Sequence, residues 1–331
     1  MPPLLLVQPP AGGRISGGYL YNARMAEHGL WQLRDVPPEE LPTLHTQLPA
    51  QQPLLLDSIW LTEAHAPAFD RLAAGGRTLG VMLHSLPSLI TAAESGRSAP
   101  SGPSAFERER LERLGLVLVP GRHYADLLAE CRTRIVIAEP GIDDGWRAAP
   151  RPRQGPCRVV SVGAATPRKG FLDVAEVLHE LDPADYEWRV LGSLDVDREY
   201  AGELARRTAS LPGVQLLGQQ PPAEVQRLVR SSDVLVMPSY DENQPLVLVE
   251  AMAASVPSVA YAAGAARHML AHGREGFIAE IGDRPALALA LRRLLEDEDL
   301  RLAMANACWE RQPSIPSWPQ AVARARAALT S

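Results

Sequence analysis

The 331-residue chain carries 33 basic residues, and all but Lys169 are arginine. Lysine and arginine differ mainly in geometry, hydration and donor count. A chain this biased uses Arg wherever a generic positive charge serves, which marks Lys169 as a candidate for a task that needs a compact ammonium. It stands in Ser161-Val-Gly-Ala-Ala-Thr-Pro-Arg-Lys-Gly-Phe171, directly after the apolar run Arg158 to Val162. Such a loop aims Arg168, Lys169 and the backbone N–H groups around Gly163 at one place, an arrangement that suits a diphosphate. The other reading is an ordinary strand-to-helix loop. Cations at a helix start are mildly unfavourable against the helix dipole, which argues for an anion nearby.

A second stretch, Ser239-Tyr-Asp-Glu-Asn-Gln-Pro-Leu-Val-Leu-Val-Glu-Ala-Met-Ala-Ala254, follows the apolar run Val234 to Met237. Pro245 suits the first turn of a helix, so the N–H groups of Asn243, Gln244 and Leu246 lie near a helix start, where anionic or hydroxyl-rich ligands are favoured. Glu242 precedes that helix and Glu250 sits within it. A carboxylate on an otherwise apolar helix can accept two hydrogen bonds from a vicinal diol such as a ribose. Two glutamates at this spacing also suit a solvated loop residue and a surface helix position.

The elements that position these loops follow from the alternation of short apolar runs with helix-period segments, the pattern of parallel strands joined by crossover helices. Strands are expected at Leu4 to Val7, Leu54 to Ile59, Thr78 to His84, Leu116 to Pro120 and Arg134 to Ala138, with helices such as Gly18 to Glu27 and Ala105 to Leu114 between them. The second half repeats the pattern from Arg158 to Tyr261. The Pro- and Gly-bearing stretch Ala148 to Pro156 reads as a linker. The fold class is therefore α/β, with two doubly wound domains, 1–152 and 153–315, facing a cleft. A helix in 316–331 returns to the first. Ligands in such sheets sit beyond the carboxyl ends of strands, where both loops fall.

Composition narrows the partners. With 39 acidic residues the formal net charge is −6, the wrong sign for holding nucleic acid by phosphate neutralisation. The first 150 residues hold 13 Arg, no Lys and 16 acids, so neither half is a basic membrane-docking surface overall. Arg108, Arg110 and Arg113 cluster, but pairs at helical spacing, Glu107 with Arg110 and Glu109 with Arg113, read as a solvated face. Three scattered cysteines suggest neither disulfides nor a metal site. No signal-like or membrane-spanning run is present, and a cytoplasmic location is expected. Asp195-Val-Asp197 and the run Glu296 to Asp299 read as surface turns.

Taken together and in order, the motifs resemble those of retaining glycosyltransferases of the GT-B fold, of the family-four (glycosyl transferases group 1) type. They are Gly17-Gly18, His84, Pro140-Gly141-Ile142-Asp143, Val162-Gly163, Arg168-Lys169-Gly170, Glu242, Glu250-Ala-Met-Ala253, Gly273 to Gly276 and Ile281-Gly282-Asp283. The resemblance implies that Lys169 with Arg168 holds the donor diphosphate and that Glu250 binds the nucleotide ribose. Glu242 and the backbone after it meet the donor sugar, Gly17 and Gly18 let the backbone approach the phosphates, and His84 sits beside the transferred sugar. The implied reaction is retaining, metal-independent transfer of a hexose from a UDP- or GDP-sugar to an acceptor hydroxyl, with no cofactor and with a soluble acceptor favoured over a lipid. A nucleotide-sugar epimerase on the same fold and a non-catalytic sugar-nucleotide binding module are the alternatives. Ala164 stands where many relatives have an Arg, and Arg267 or His268 where an acid is often found.

Overall fold

The computed structural model describes residues 3–13, 15–74, 76–94, 102–152, 155–182 and 184–330. The described residues form two compact units. The first contains β1 (Leu5–Gln8), β2 (Gln32–Asp35), β3 (Leu54–Asp57), β4 (Leu79–Met82), β5 (Leu116–Val119) and β6 (Ile135–Ile137). They form one all-parallel sheet in the order β2-β1-β3-β4-β5-β6. β1, β3, β4 and β5 are buried along their whole length, which is why they read as continuous apolar runs. β2, Gln-Leu-Arg-Asp, lies at the sheet edge and is largely exposed, so it carries no hydrophobic signal and went unanticipated.

The second unit contains β7 (Cys157–Val162), β8 (Tyr186–Leu191), β9 (Val214–Gly218), β10 (Val234–Met237), β11 (Ser258–Tyr261) and β12 (Gly276–Ala279), again all parallel, in the order β12-β11-β10-β7-β8-β9. Successive residues point to opposite faces. Val159 enters one core cluster with Val174, Trp188 and Leu291, while Val160 enters another with Leu235, Leu248 and Met252. The helix Phe171–Leu178 buries Phe171, Val174, Ala175 and Leu178, an i, i+3, i+4, i+7 stripe, with Val177 beside it. Each large side chain there contributes roughly 1.5–3 kcal/mol of burial.

In both sheets the strand order reverses direction once. The reversal lies between β1 and β3 in the first and between β7 and β10 in the second. At such a point neighbouring loops diverge to opposite faces and leave a crevice at the strand carboxyl ends. The loop after β7 carries Arg168 and Lys169, and the loop after β10 carries Glu242.

The division of the chain differs from the expected linker. The second unit starts at Ile142, and residues 316–330 belong to the first; Ser331 lies outside the described residues. The Pro-rich stretch is docked on the second unit instead. Trp146 is buried in that unit's core. The Ala148 amide donates to the Ala253 carbonyl (3.1 Å), and the Ala148 carbonyl accepts from Ser255 Oγ (2.6 Å) and Gln312 Nε2 (2.8 Å). Proline forbids regular structure there but not packing. Arg153 and Gln154 of the expected linker lie outside the described residues.

Glu107 also departs from expectation. It is 2% exposed, not part of a solvated face. Its carboxylate accepts from the Ser104 amide (2.7 Å), closing a capping box on the helix Ala105–Glu112, and from Ser88 N (2.8 Å) and Oγ (2.6 Å). Arg110 pairs instead with Asp70. Among the described residues no helix is long and apolar enough to cross a membrane.

Candidate functional site

The strand β7 ends at Val162, and the loop beyond it makes a short 3-10 turn, Pro167–Lys169, closed by Gly170. Gly170 adopts φ +65°, and a Cβ there would fall 2.1 Å from the Pro238 carbonyl oxygen in the loop after β10. Only glycine allows both the left-handed turn and that approach, so Gly170 is what brings the two loops together. The Tyr240 amide donates to the Arg168 carbonyl (2.8 Å), and Arg168 Nη1 donates to the Asp241 carbonyl (2.9 Å).

The two loops meet in an ion pair. Lys169 Nζ donates to Glu242 Oε1, and Arg168 Nη1 lies 4.0 Å from the same oxygen. Glu242 is 9% exposed, so it is not a solvated loop residue. Burial alone would push its carboxyl up, but Lys169 and Arg168 reverse that and hold it below the usual value. Burial lowers Lys169 despite the opposing pull of Glu242, and neighbouring Arg168 lowers it further. Burial raises the Asp241 carboxyl. The Lys169 stem lies against Gly163, whose Cβ position is 3.0 Å from Lys169 Cε.

Behind the loops Asp173 Oδ2 accepts from the Tyr240 hydroxyl (2.7 Å) and the Tyr261 hydroxyl (2.8 Å). This clamp ties the helix after Lys169 to the loop holding Glu242. Sequence reasoning missed Asp173, Tyr240, Tyr261 and Asp241; the acid in the first helical turn after Gly170 was the available signal.

Asn243 is buried and Gln244 half-buried just before the helix Leu246–Ala253. The Leu248 amide donates to the carbonyl of the cap residue Pro245 (3.1 Å), and the Leu246 and Val247 amides before it have no acceptor within the helix. Glu250 is half-buried on the same helix beside Ala251, which is fully buried. Burial, reinforced by Asp143, pushes its carboxyl up to about 8.

The remaining sequence candidates belong to the first unit. The helix Gly17–Glu27 begins with Gly17 and Gly18 behind the N-cap Ser16. The His84 ring lies 3.3 Å from where a Gly18 Cβ would stand, and its Nε2 is 2.8 Å from Asn22 Oδ1. Thus Gly163, Arg168, Lys169 and Glu242 are gathered at one switch point and Gly18 and His84 at the other. Asn22 and Asp57, which also meet His84, were not anticipated.

Asp195 and Asp197 form a surface turn. Asp197 Oδ1 caps the helix Arg198–Thr208 through the Tyr200 amide (2.9 Å), and Asp195 pairs with Arg198. Asp297 likewise caps the helix Glu298–Arg311. Arg267 pairs with exposed Glu280 (3.0 Å). Among the described residues no three His, Cys, Asp or Glu side chains stand together as a metal site.

Residues 143–310 match the family model for glycosyl transferases group 1, and the chain belongs to that family. Among its relatives are the D-inositol 3-phosphate glycosyltransferase of Corynebacterium urealyticum, 38% identical over 104 residues (31% of this chain, 24% of that one), and the phosphatidyl-myo-inositol mannosyltransferase of Mycolicibacterium smegmatis, 36% identical over 150 residues (44% and 37%). The glycogen synthase of Mycobacterium tuberculosis is 30% identical over 196 residues (58% and 47%). The chain therefore spans less than half the length of these curated relatives. Among solved structures, Anabaena Alr3699/HepE in complex with UDP-glucose superposes with a TM-score of 0.80 at 17% identity over 99% of both chains. The sucrose-phosphate synthase of Thermosynechococcus elongatus gives 0.78 at 16% identity over 100% of this chain and 98% of that one. At that identity the likeness shows a shared fold, the GT-B architecture of two Rossmann-like domains.

Proposed function

We propose that the chain is a glycosyltransferase that moves a hexose from a UDP- or GDP-sugar to an acceptor hydroxyl, with retention and without a metal ion. The observation that carries this reading is the convergence of Arg168, Lys169 and Glu242 at the switch point of the second sheet. Breaking an anomeric bond leaves negative charge on the diphosphate and a cation-like sugar. The largest catalytic contribution then comes from donors preorganised at the leaving phosphate. In this reading Lys169 and Arg168 take that charge, Gly163, whose own amide is spent on the Leu191 carbonyl (2.7 Å), leaves room for the Lys169 stem, and the backbone at Asn243 and Gln244 supplies N–H groups. Glu250 receives the ribose diol, and Glu242 turns from Lys169 toward the sugar as the diphosphate replaces it. Gly17, Gly18 and His84 serve the donor and acceptor from the first unit. The UDP-glucose complex of the Anabaena neighbour supports a nucleotide sugar as donor, and the family's motif pattern supports retention.

The test is a thermal-shift panel of UDP, GDP and their sugars, since a ligand that binds only the folded state raises the melting temperature by mass action. Transfer to a sugar acceptor is then assayed with and without EDTA, with the product's anomeric configuration read by NMR. No shift with any nucleotide sinks the reading, and loss of transfer in EDTA with rescue by Mn²⁺ sinks metal independence. A soluble acceptor is favoured by the net charge of the first 150 residues; strong, salt-sensitive co-flotation with anionic vesicles overturns it.

A further inference from the structure

The loops that carry Lys169 and Glu242 are tied a second time, behind the ion pair, by a side chain to which the proposed function gives no task. Asp173 stands in the first turn of the helix Phe171–Leu178. Its Oδ2 accepts from the Tyr240 hydroxyl (2.7 Å) in the loop after β10 and from the Tyr261 hydroxyl (2.8 Å) at the end of β11. A carboxylate only accepts, so both phenolic hydrogens are committed to one oxygen.

Two of the three parts of this clamp are fixed by regular structure. Tyr261 is fully buried, and its backbone pairs with Ala279 of β12. The helix turn that carries Asp173 is anchored in turn, since the Leu172 amide donates to the Tyr200 hydroxyl of the helix Arg198–Thr208 (3.0 Å). Tyr240 stands in a loop, yet it is held at both ends: its amide donates to the Arg168 carbonyl (2.8 Å) and its hydroxyl to Asp173. Its ring is flanked by two glycines. Cε2 is 3.2 Å from where a Gly170 Cβ would stand, and Cε1 is 4.0 Å from that of Gly282, in the Ile281-Gly282-Asp283 motif.

The chain between these anchors is short. Asp173 is four positions after Lys169, and Glu242 is two after Tyr240. The four side chains therefore close a ring with two stretches of backbone and two noncovalent links, the Lys169–Glu242 ion pair and the Asp173–Tyr240 hydrogen bond. Opening the second link frees the loop two residues from Glu242. Burial and Asp173 both push the Tyr240 and Tyr261 hydroxyls up, with Arg284 opposing too weakly to reverse it, so both keep their hydrogens throughout the neutral range.

We propose that Asp173 is a positioning residue, which by holding the Tyr240 hydroxyl sets Glu242 against Lys169 before a donor arrives. The preformed ion pair is a property of the second unit alone, whereas its use in sugar transfer rests on the proposed function.

Lys169 is the only lysine, so the full chain labelled with ¹³Cε-lysine gives one side-chain signal, which needs no variant for its assignment. Glu242 raises the titration of that amine, so separating the pair lowers it; Arg168 and Asp241 face the amine too, and the shift is read as a difference from wild type. In Tyr240→Phe, which keeps the ring and loses the hydroxyl, the Lys169 titration is expected to fall by about half a unit or more. Asp173→Ala is expected to do the same, with Asp173→Asn recovering part through its amide oxygen. Glu242→Gln lowers the titration by itself, and adding Tyr240→Phe to it is expected to move the signal no further. A Lys169 titration that Tyr240→Phe leaves in place, or that falls equally with Glu242 and with Gln at that position, overturns the proposal. Transfer from a UDP- or GDP-sugar is the second readout. Tyr240→Phe is expected to lower kcat about tenfold while UDP affinity stays within about twofold, because the cations remain. A loss shared equally by kcat and UDP affinity marks a merely structural clamp and overturns the positioning role. If the wild-type chain transfers nothing from any nucleotide sugar, the proposed function fails and the Lys169 signal still decides what positions Glu242.

Discussion

Glu250→Gln tests most directly the electrostatics of the side proposed to hold the nucleotide. The Glu250 carboxyl is buried enough on its apolar helix, with Asp143 adding repulsion, to titrate at about 8, against 4.5 in an unfolded chain. Between those two values the folded chain holds a proton that the unfolded chain has released. Stability therefore falls as pH rises through the window, at up to about 1.4 kcal/mol per pH unit. At pH 7 that is a cost of about 3 kcal/mol at most, and the partial solvation of a half-buried side chain brings it to about 1.5 kcal/mol. Glutamine has nearly the same shape and never ionises, so the variant escapes the cost. In a unit of this size its melting temperature is expected to exceed wild type by about 3–6 °C at pH 7, by more at pH 8.5, and by nothing near pH 4.5. Nucleotide binding moves the other way: a ribose diol prefers the ionised carboxylate, so wild-type UDP or GDP affinity gains with pH between 7 and 8.5 relative to the variant, which binds more weakly throughout. Thermal denaturation and titration calorimetry across that range decide it. A variant no more stable than wild type at pH 8, or a difference that does not change with pH, refutes the reasoning.

Three further outcomes are expected. Lys169→Ala should weaken UDP binding and slow transfer at least about tenfold, with Lys169→Arg recovering only part because a guanidinium does not reproduce the compact ammonium; unchanged kinetics and affinity remove the assignment. Glu242→Gln frees Lys169 from its ion pair, so UDP should bind as well as or better than to wild type while transfer falls, and parallel loss of both contradicts the exchange of partners at Lys169. Gly170→Ala puts a methyl 2.1 Å from the Pro238 carbonyl at φ +65°; chemical denaturation should show a loss of about 2 kcal/mol or more, and a neutral result means the loops after β7 and β10 are not held by this turn.

How legible the site was in the sequence depends on what each residue depends on. Lys169, Arg168 and Glu242 were visible because each stands in a loop immediately after an apolar run, and a buried parallel strand declares itself in one dimension. β7 and β10 match expectation to within a residue for the same reason. β2 was invisible because an exposed edge strand needs no apolar residues. Glu107 was misread because helical spacing says which residues share a face, not whether that face is covered; Ser88 and Ser104 bind it from outside its own helix.

Asn22 and Asp57 show the deeper limit. Each is an unremarkable polar residue within its own element, and only the order of strands in the sheet makes them neighbours. The sequence implies that β1 and β3 exist but not that they lie side by side with their following loops diverging, and that adjacency turns Gln8, Asn22, Asp57 and His84 into one hydrogen-bonded chain. The second sheet works the same way: β7 and β10 are separated by 71 residues, 163–233, yet are hydrogen-bonded partners, and Lys169 reaches Glu242 only because of it. Once the order is known, the polar residues ending the strands beside each reversal become the first candidates for function, whatever their local sequence looks like.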